Sequence, residues 1–491
     1  MKRVLLEPIL KIFLKASVIP SRSFGAESRL DALNLGLRVT ARNNKAFLRW
    51  VLVLTIISPI GWVSAQSPVT KLTFEEAVVI GLQRNVILNQ QKNQLESTQA
   101  QKLNAVGNYM PNLNVTGSFN RQEGQQANST NGNLENLTTD YVGAQLNAGL
   151  TVFNGFRNYN TLTQANNQVM AQGYLIKRST QDVVSNVANQ YLQVLLDQEL
   201  VRIAEENLKT QNTILEQMQG FHEVGSRPIT DVYDQDALAK TAQVLLIRAK
   251  NTLLNDKSIL AQTLQLDPSQ PFEVIYPAMA ADLSRYKDMS LDSLINVAME
   301  YRADLKQLDH QAKANKYAFK SSLSPALPSV SLFANYGSFY YSLIAQDFSG
   351  QFGTTNPSLS YGANLTIPIF TRFQTKFQRT NFKVQYDNSL LNYQNLEKTV
   401  KLDVQRAHNN FISALENYEA SLAQFQAGEL SLNTQRESYE LGISTQVALA
   451  QANQTHVLGS AAKVQAEVTL LFQKILLEYA MGTLQPELIK P

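Results

Sequence analysis

Two long stretches without proline constrain the fold of this chain more than any other feature. Proline is absent from residues 112 to 227 and again from 369 to 485, so neither stretch contains the residue that most strongly breaks a helix. From Leu396 to Phe425 the apolar residues recur with the α-helical period of about 3.6 residues. A helix over 156 to 220 would be about 97 Å long, which exceeds what a globular domain encloses.

The chain also contains an internal repeat. "LTFEEAVVIGLQRN" (72 to 85) and "MSLDSLINVAMEYR" (289 to 302) both place a Thr or Ser before apolar residues at helical spacing. Four pairs of landmarks share one offset of 217 residues: Phe74 and Leu291, Pro111 and Pro328, Phe153 and Phe370, Gly225 and Gly442. The sequence therefore predicts a duplicated unit of this length.

Each unit contains two segments in which apolar and polar residues alternate, as in half-buried strands. The predicted strands are 112–121, 141–153, 329–341 and 358–370, and aromatic residues bound them. This pattern is typical both of a soluble antiparallel sandwich and of strands that cross a membrane. A predicted export signal at residues 42 to 65 and the uncharged alternating segments favour membrane strands over a sandwich. Four strands do not close a barrel, so we expect a dimer with 8 strands or a trimer with 12.

The N-terminal region reads as a leader and a signal peptide over 1–65. "RNNKAFLRW" (42 to 50) is basic, "VLVLTIISPIGW" (51 to 62) is apolar and "VSA" (63 to 65) offers a small-residue cleavage site. A membrane anchor is the alternative, although the apolar run is shorter than the ~20 residues that a spanning helix needs. We expect the mature chain to start at Gln66, and translation to start downstream of Met1, at a codon read as Val39.

After the signal peptide, the two repeats divide the chain at about residue 286. The first repeat, 66–286, is predicted to contain long helices at 156–220 and 228–265. The second repeat, 287–491, is predicted to contain long helices at 371–441 and 445–482. Such helices are expected to pair as coiled-coil hairpins.

Composition excludes several classes of function. The net charge is +3 and 17% of residues are charged, which predicts no nucleic-acid partner. Cysteine is absent and the four histidines are dispersed, so neither a thiolate site nor a histidine metal site is indicated. With no phosphate-binding glycine loop or nucleophile elbow either, we expect no catalytic residue, no metal, no cofactor and no enzymatic activity.

These motifs together resemble the outer-membrane efflux proteins of the TolC-like family. The similarity runs from residue 70 to about 485 and rests on the repeated first helix, "MPNLNVTGSF", "TIPIF", "EVGSRPITDV" and "ELGISTQVAL". The resemblance implies a mainly α chain with a β-barrel. Long α-helical hairpins would form a periplasmic tunnel, and four transmembrane β-strands per subunit would give a 12-stranded barrel in a trimer.

The resemblance also implies a function. The chain would be an outer-membrane exit duct of a tripartite efflux or type I secretion system, embedded in outer-membrane lipid with a periplasmic extension. Its partners would be two further copies, a periplasmic adaptor (membrane fusion) protein and an inner-membrane transporter of the RND or ABC type. The alternative is a secreted periplasmic coiled-coil scaffold without a pore.

The two glycine turns are the candidate functional site. Glycine readily adopts the left-handed conformation that ends helices, so the long helices are expected to reverse there. The resemblance places these turns at the periplasmic tip, where the adaptor docks; the residues concerned are Gly225, Arg227, Thr230, Gly442, Ser444 and Thr445. It also makes Asp231 and Asp234 a candidate constriction, carried by the first repeat alone because Ala448 and Gln451 occupy the equivalent positions. The alternative is that Asp231 only complements a helix dipole.

Overall fold

The computed structural model describes residues 70–127, 132–267, 271–276 and 284–484. These residues belong to one unit, Ser67–Pro491. The predicted leader, the signal peptide, Val39 and Gln66 lie outside the described residues.

The helices show the duplication directly. The first repeat contains α1 (Phe74–Arg84), α2 (Val86–Gly107), α3 (Arg157–Glu223) and α4 (Ile229–Leu264), and the second contains α5 (Leu291–Tyr301), α6 (Ala303–Ser321), α7 (Gln374–Glu440) and α8 (Gln446–Met481). Single turns of helix lie at Ser284–Lys287, Ser324–Ala326, Phe348–Gly350 and Gln351–Thr355. The bounds of α5, α7 and α8 are those of α1, α3 and α4 shifted by 217 residues (291 − 74, 374 − 157 and 446 − 229). Both α3 and α7 contain 67 residues, a length of about 100 Å.

Local sequence explains where these helices begin and end. Thr73 and Glu76 form a capping box at the start of α1, and Ser290 caps α5; both remove unsatisfied backbone donors. The long helices follow a phenylalanine in the left-handed region in both repeats, Phe156 at φ 63° and Phe373 at φ 61°. The second repeat therefore reproduces even an unfavourable backbone conformation of the first.

The strands form two sheets. A short parallel pair joins β1 (Thr70–Leu72) to β4 (Phe272–Val274). The larger sheet is antiparallel in the order β2–β3–β5–β6, with β2 at Asn112–Ala127, β3 at Leu134–Asn154, β5 at Ser329–Tyr341 and β6 at Ser358–Thr366. Strands β2 and β6 are its edges, and each pairs on one side only.

The observed strand bounds differ from the predicted ones in two places. Strands β2 and β3 continue their ladder to Ala127 and back from Leu134, through a segment that carries charge and does not alternate. An ion pair of 2.7 Å between Arg121 Nε and Asp140 Oδ1 joins the two strands there. Strand β6 ends at Thr366, two residues before Pro368, which has no N–H for a ladder.

In the half of the molecule that contains the two glycine turns, the long helices form one layer in the order α4–α3–α8–α7. Helix α3 packs on both α4 and α8, and α8 packs on α7. Nearer the sheet, α3 packs between α2 and α6, and α6 also contacts α7. One buried core surrounds Tyr191, whose hydroxyl donates to Leu72 O at 2.9 Å and so ties α3 to β1. A second core surrounds Phe411 on α7.

Candidate functional site: the paired helix reversals

The structure places both glycines at helix reversals. Gly225 lies between α3 and α4, Gly442 lies between α7 and α8, and both have φ 75°. A Cβ atom added at either glycine would meet no heavy atom within 4 Å. Glycine is therefore suited to these positions by its left-handed backbone rather than by lack of space.

Backbone hydrogen bonds close the two turns in the same way. At the first turn Ser226 N donates to Phe221 O at 2.8 Å, and Gly225 N donates to His222 O at 2.8 Å. At the second turn Ile443 N donates to Ser438 O at 2.9 Å, and Gly442 N donates to Tyr439 O at 3.0 Å. This nested pair of bonds is the Schellman motif, which satisfies the last carbonyls of a helix.

The helices that leave the turns begin differently. Pro228 precedes α4 and makes no side-chain cap, whereas the Thr445 hydroxyl accepts from Ala448 N at 3.3 Å at the start of α8. Ser444 Oγ donates to Gln435 Oε1 at 2.7 Å, and Thr230 is exposed. The first turn has Arg227 and Pro228 at the positions of Ser444 and Thr445, so it does not form these two hydroxyl contacts.

An aromatic contact joins the two hairpins beside the turns. The guanidinium of Arg227 lies over the ring of Tyr439, 5.3 Å from its centroid, and the Tyr439 hydroxyl donates to Met218 Sδ at 3.1 Å. Burial raises the pKa of the Tyr439 phenol, and the charge of Arg227 opposes that shift. Tyr439 belongs to a small core with Ile214, Met218, Val232 and Leu449.

A chain of amides makes a second connection between the hairpins. Gln235 is 1% exposed, and its Nε2 donates to Gln211 O at 3.0 Å and to Gln211 Oε1 at 2.7 Å. From the second hairpin, Gln446 Nε2 donates to Asp231 O at 3.3 Å and to Gln235 Oε1 at 3.4 Å. Because buried amides are costly to leave unpaired, this arrangement fixes the register of α4 against α8.

The two candidate acids lie on the first two turns of α4. Asp231 is half-buried next to the amide chain and Asp234 is exposed. Asp231 N also donates to Pro228 O at 3.2 Å, as expected in the first turn of a helix. Within one chain the two carboxylates do not enclose a passage, so a constriction there requires other copies.

Apolar side chains surround the turns and face solvent. Val224 and Leu441, which occupy equivalent positions, are 77% and 75% exposed, and Ile443 and Val447 are 78% and 79% exposed. Exposed apolar side chains clustered at one end of a molecule mark an interaction surface.

Sequence reasoning missed the amide contact between α3 and α4, although the sequence contained a signal for it. Gln211 and Gln235 are paired departures from the repeat, because Gly428 and Ala452 stand at the equivalent positions. In the second hairpin, a Cβ atom on Gly428 would lie 3.5 Å from His456 Cα, so α7 and α8 pack closely where α3 and α4 use amides.

Metal-binding clusters and membrane-spanning helices are two features that the described ranges lack. No group of three or more His, Cys, Asp or Glu residues there could hold a metal ion. No helix in the same ranges combines the length and the apolar character that crossing a membrane requires.

Comparison with known proteins identifies a family that matches each repeat separately. The family described as outer membrane efflux protein matches residues 78–264 and 294–483. These two ranges cover α3, α4, α7 and α8 and both glycine turns.

Individual relatives match most of the chain. An outer membrane efflux protein of Brucella suis, BepC, is 25% identical over 410 residues, which cover 84% of this chain and 85% of the relative. A probable efflux pump outer membrane protein of Pseudomonas putida, TtgC, is 24% identical over a match that covers 76% of this chain and 75% of the relative. The crystal structure of the outer membrane protein VceC from Vibrio cholerae superposes with a TM-score of 0.71 at 16% identity, covering 83% of this chain and 96% of VceC.

Proposed function

This chain belongs to the outer membrane efflux protein family, and on that premise we propose that it is the passive exit duct of a tripartite efflux or type I secretion system. It lies in the outer membrane with a periplasmic extension. The family is one of transport conduits, and the proposal assigns the chain no chemical step.

The duplicated long hairpin carries this proposal. Two helices of 67 residues, each reversing at a left-handed glycine into a helix of 36 residues, extend about 100 Å from one end of a four-stranded sheet. Helices of this length extend beyond what one globular domain encloses, but several hairpins side by side form the wall of a tunnel.

Three copies would complete the structure. The sheet has two open edges, β2 and β6, and open edges are not tolerated in lipid; three sheets joined edge to edge give the expected 12-stranded barrel. The two outer helices of the layer, α4 and α7, also carry exposed apolar side chains: Leu245, Ile247, Leu254 and Ile259 on α4, and Leu402 and Leu430 on α7. In a trimer the α4 helix of one copy would cover α7 of the next.

The turns are the proposed docking surface for the periplasmic adaptor, which would connect the duct to an inner-membrane transporter of the RND or ABC type. The exposed apolar side chains at the tip, including Val224 and Leu441, support this assignment. Gly225, Arg227 and Thr230 would meet the adaptor on one hairpin, and Gly442, Ser444 and Thr445 on the other.

Asp231 and Asp234 are the proposed constriction. Around a threefold axis they would form a ring of up to six carboxylates in a narrow aqueous neck, and such a ring favours cations.

Channel recording tests the proposal. Purified protein from the outer-membrane fraction should form heat-sensitive trimers and conduct ions in planar bilayers. Replacing Asp231 and Asp234 together with alanine should raise the conductance and weaken cation selectivity, while Glu205→Gln and Glu216→Gln, both exposed on α3, should change neither. A soluble monomer without conductance would refute the duct. A conducting double variant with wild-type selectivity would refute only the constriction.

A further inference from the structure

The second repeat contains a concentrated positive charge just below the sheet. Between Asp309 and Asp387 the only acidic residue is Asp347, and it lies beyond the opposite end of β5. The same interval contains seven cations: Lys313, Lys316, Lys320, Arg372, Lys376, Arg379 and Lys383. All seven are exposed. Among the described ion pairs only Lys313 has a carboxylate partner, Asp309 at 2.6 Å.

These cations lie on one side of the helices. Lys376, Arg379 and Lys383 follow one another at intervals of three and four residues, which places them on one face at the start of α7, and Arg372 lies two residues before the helix. On the neighbouring helix α6, Lys316 and Lys320 are four residues apart. The two helices touch there, because the Arg379 guanidinium lies 5.1 Å from the centroid of the Phe319 ring.

The opposite side of the same helices is lined by amides. Asn381 is two residues from both Arg379 and Lys383, and a step of two residues turns about 200° around a helix. Asn381, Gln385 and Gln164 line a cavity of about 480 Å³ that involves α3, α6 and α7. Because Asn381 points into this cavity, the cations two residues away from it lie on the side of α7 that faces away from the cavity.

The position of the cations along the chain is also specific. Arg372 comes six residues after Thr366, the last residue of β6, and the stretch from Arg372 to Lys383 advances about 17 Å along the helix. Phe370, Phe373 and Phe377 are interspersed and are 71%, 71% and 61% exposed. Exposed aromatic rings next to basic side chains are typical of protein surfaces that meet lipid headgroups.

The backbone at Arg372 is strained for a residue that has a side chain. Arg372 has φ 49°, and the equivalent residue of the first repeat is Gly155 at φ 64°. Glycine would relax the position, since the left-handed region is unfavourable for a residue with a Cβ atom. The first repeat shows no comparable charge, as Tyr159 and Leu162 occupy the positions equivalent to Lys376 and Arg379.

From these observations we infer that Arg372, Lys376, Arg379 and Lys383, with Lys316 and Lys320, form a docking surface for anionic phospholipid headgroups in the periplasmic leaflet of the outer membrane. The inference rests on the proposed function, which places the sheet in that membrane. Each trimer carries three such surfaces, because only the second repeat has one. Their charge draws phosphate-bearing lipids to the junction between sheet and helices, and Arg372 and Lys376 at the sheet end contribute most, because such attraction falls off over roughly 8 Å at physiological salt.

The test uses the trimer reconstituted in nanodiscs that contain equal amounts of phosphatidylglycerol and phosphatidylcholine. The trimer is released with detergent, and the bound lipids are measured by mass spectrometry. Wild type should retain phosphatidylglycerol preferentially, and Lys376→Gln, Arg379→Gln and Lys383→Gln together should reduce this preference at least about tenfold. The matched control replaces three other cations with glutamine and should behave as wild type. These cations are Lys209, Lys240 and Arg248, which are exposed on α3 and α4.

Two further measurements separate the outcomes. A charge-preserving variant, Lys376→Arg, Arg379→Lys and Lys383→Arg, should keep the lipid preference, which shows that loss in the glutamine variant reflects charge and not folding. An unchanged lipid preference in the glutamine variant overturns the inference. If its reversal potential in planar bilayers shifts instead, the cations line the passage. Absence of conductance in wild type would contradict the proposed function, whereas conducting wild-type trimers without lipid preference contradict only the lipid surface.

Discussion

A buried carboxyl group in the first hairpin makes the stability of that hairpin depend on pH. Asp197 on α3 is 3% exposed, and its Oδ1 accepts from Gln193 Nε2 at 3.4 Å. Burial, together with the neighbouring carboxyl of Asp256 on α4, raises the pKa of Asp197 to about 7. Its Oδ2 has no hydrogen-bond partner among the described groups, so no donor there stabilises the charged form.

The direction and size of the effect follow from proton linkage. Below pH 3.8, the ordinary pKa of an aspartate, both the folded and the unfolded chain hold the proton, and the pair causes no loss. Between pH 3.8 and about 7 only the folded chain holds it, so the free energy of unfolding falls by about 1.4 kcal/mol per pH unit. The loss is complete above that range and amounts to at most about 4 kcal/mol.

Replacing Asp197 with asparagine tests this account. The asparagine amide keeps the shape and donates to Asp256 at every pH, so the pH-dependent loss should disappear. Hydrogen exchange of α3 and α4 peptides between pH 5 and 8, corrected for intrinsic rates, measures the opening free energy. Glu216→Gln, an exposed change on the same helix, is the control and should keep the wild-type pH slope. If Asp197→Asn also keeps that slope, the carboxyl pair does not hold a proton and the reasoning is refuted.

Three further predictions concern the turns and the core. Gly442→Ala should cost about 1–2 kcal/mol, because alanine is unfavourable at φ 75°; faster hydrogen exchange at that turn would show it, and no change would mean that the turn adapts. Arg302→Met should cost about 1–3 kcal/mol in denaturant unfolding, since Asp304 loses its partner at 2.5 Å and keeps Arg178 at 4.0 Å. Burial alone would raise the pKa of Asp304, but Arg302 holds it below the ordinary value, so this pair should stabilise wild type above that value and lose its contribution as the pH falls through the lowered pKa. Gln235→Ala removes three hydrogen bonds of about 1 kcal/mol each and should increase the open fraction in single-channel records about fivefold or more; an unchanged open fraction would show that the amide chain does not hold the tip.

The sequence alone determined the long helices, their reversals and the duplication. Absence of proline, apolar residues at helical spacing, and a glycine after each long helix are local signals, because they act on the backbone of the residues that carry them. The single offset of 217 residues extended these signals from one repeat to the other. For this reason α7 and α8 keep the bounds of α3 and α4, and Gly225 and Gly442 have the same φ.

Only the tertiary structure decided which residues meet across helices and strands. The pairing of Arg121 with Asp140 beyond the alternating segments, the hydrogen bonds between Gln211 and Gln235, and the contact of Arg227 with Tyr439 all join residues far apart in the chain. Their partners depend on which element lies beside which and in what register. A periodic pattern reports which face of a helix is apolar, but it does not report which neighbour covers that face.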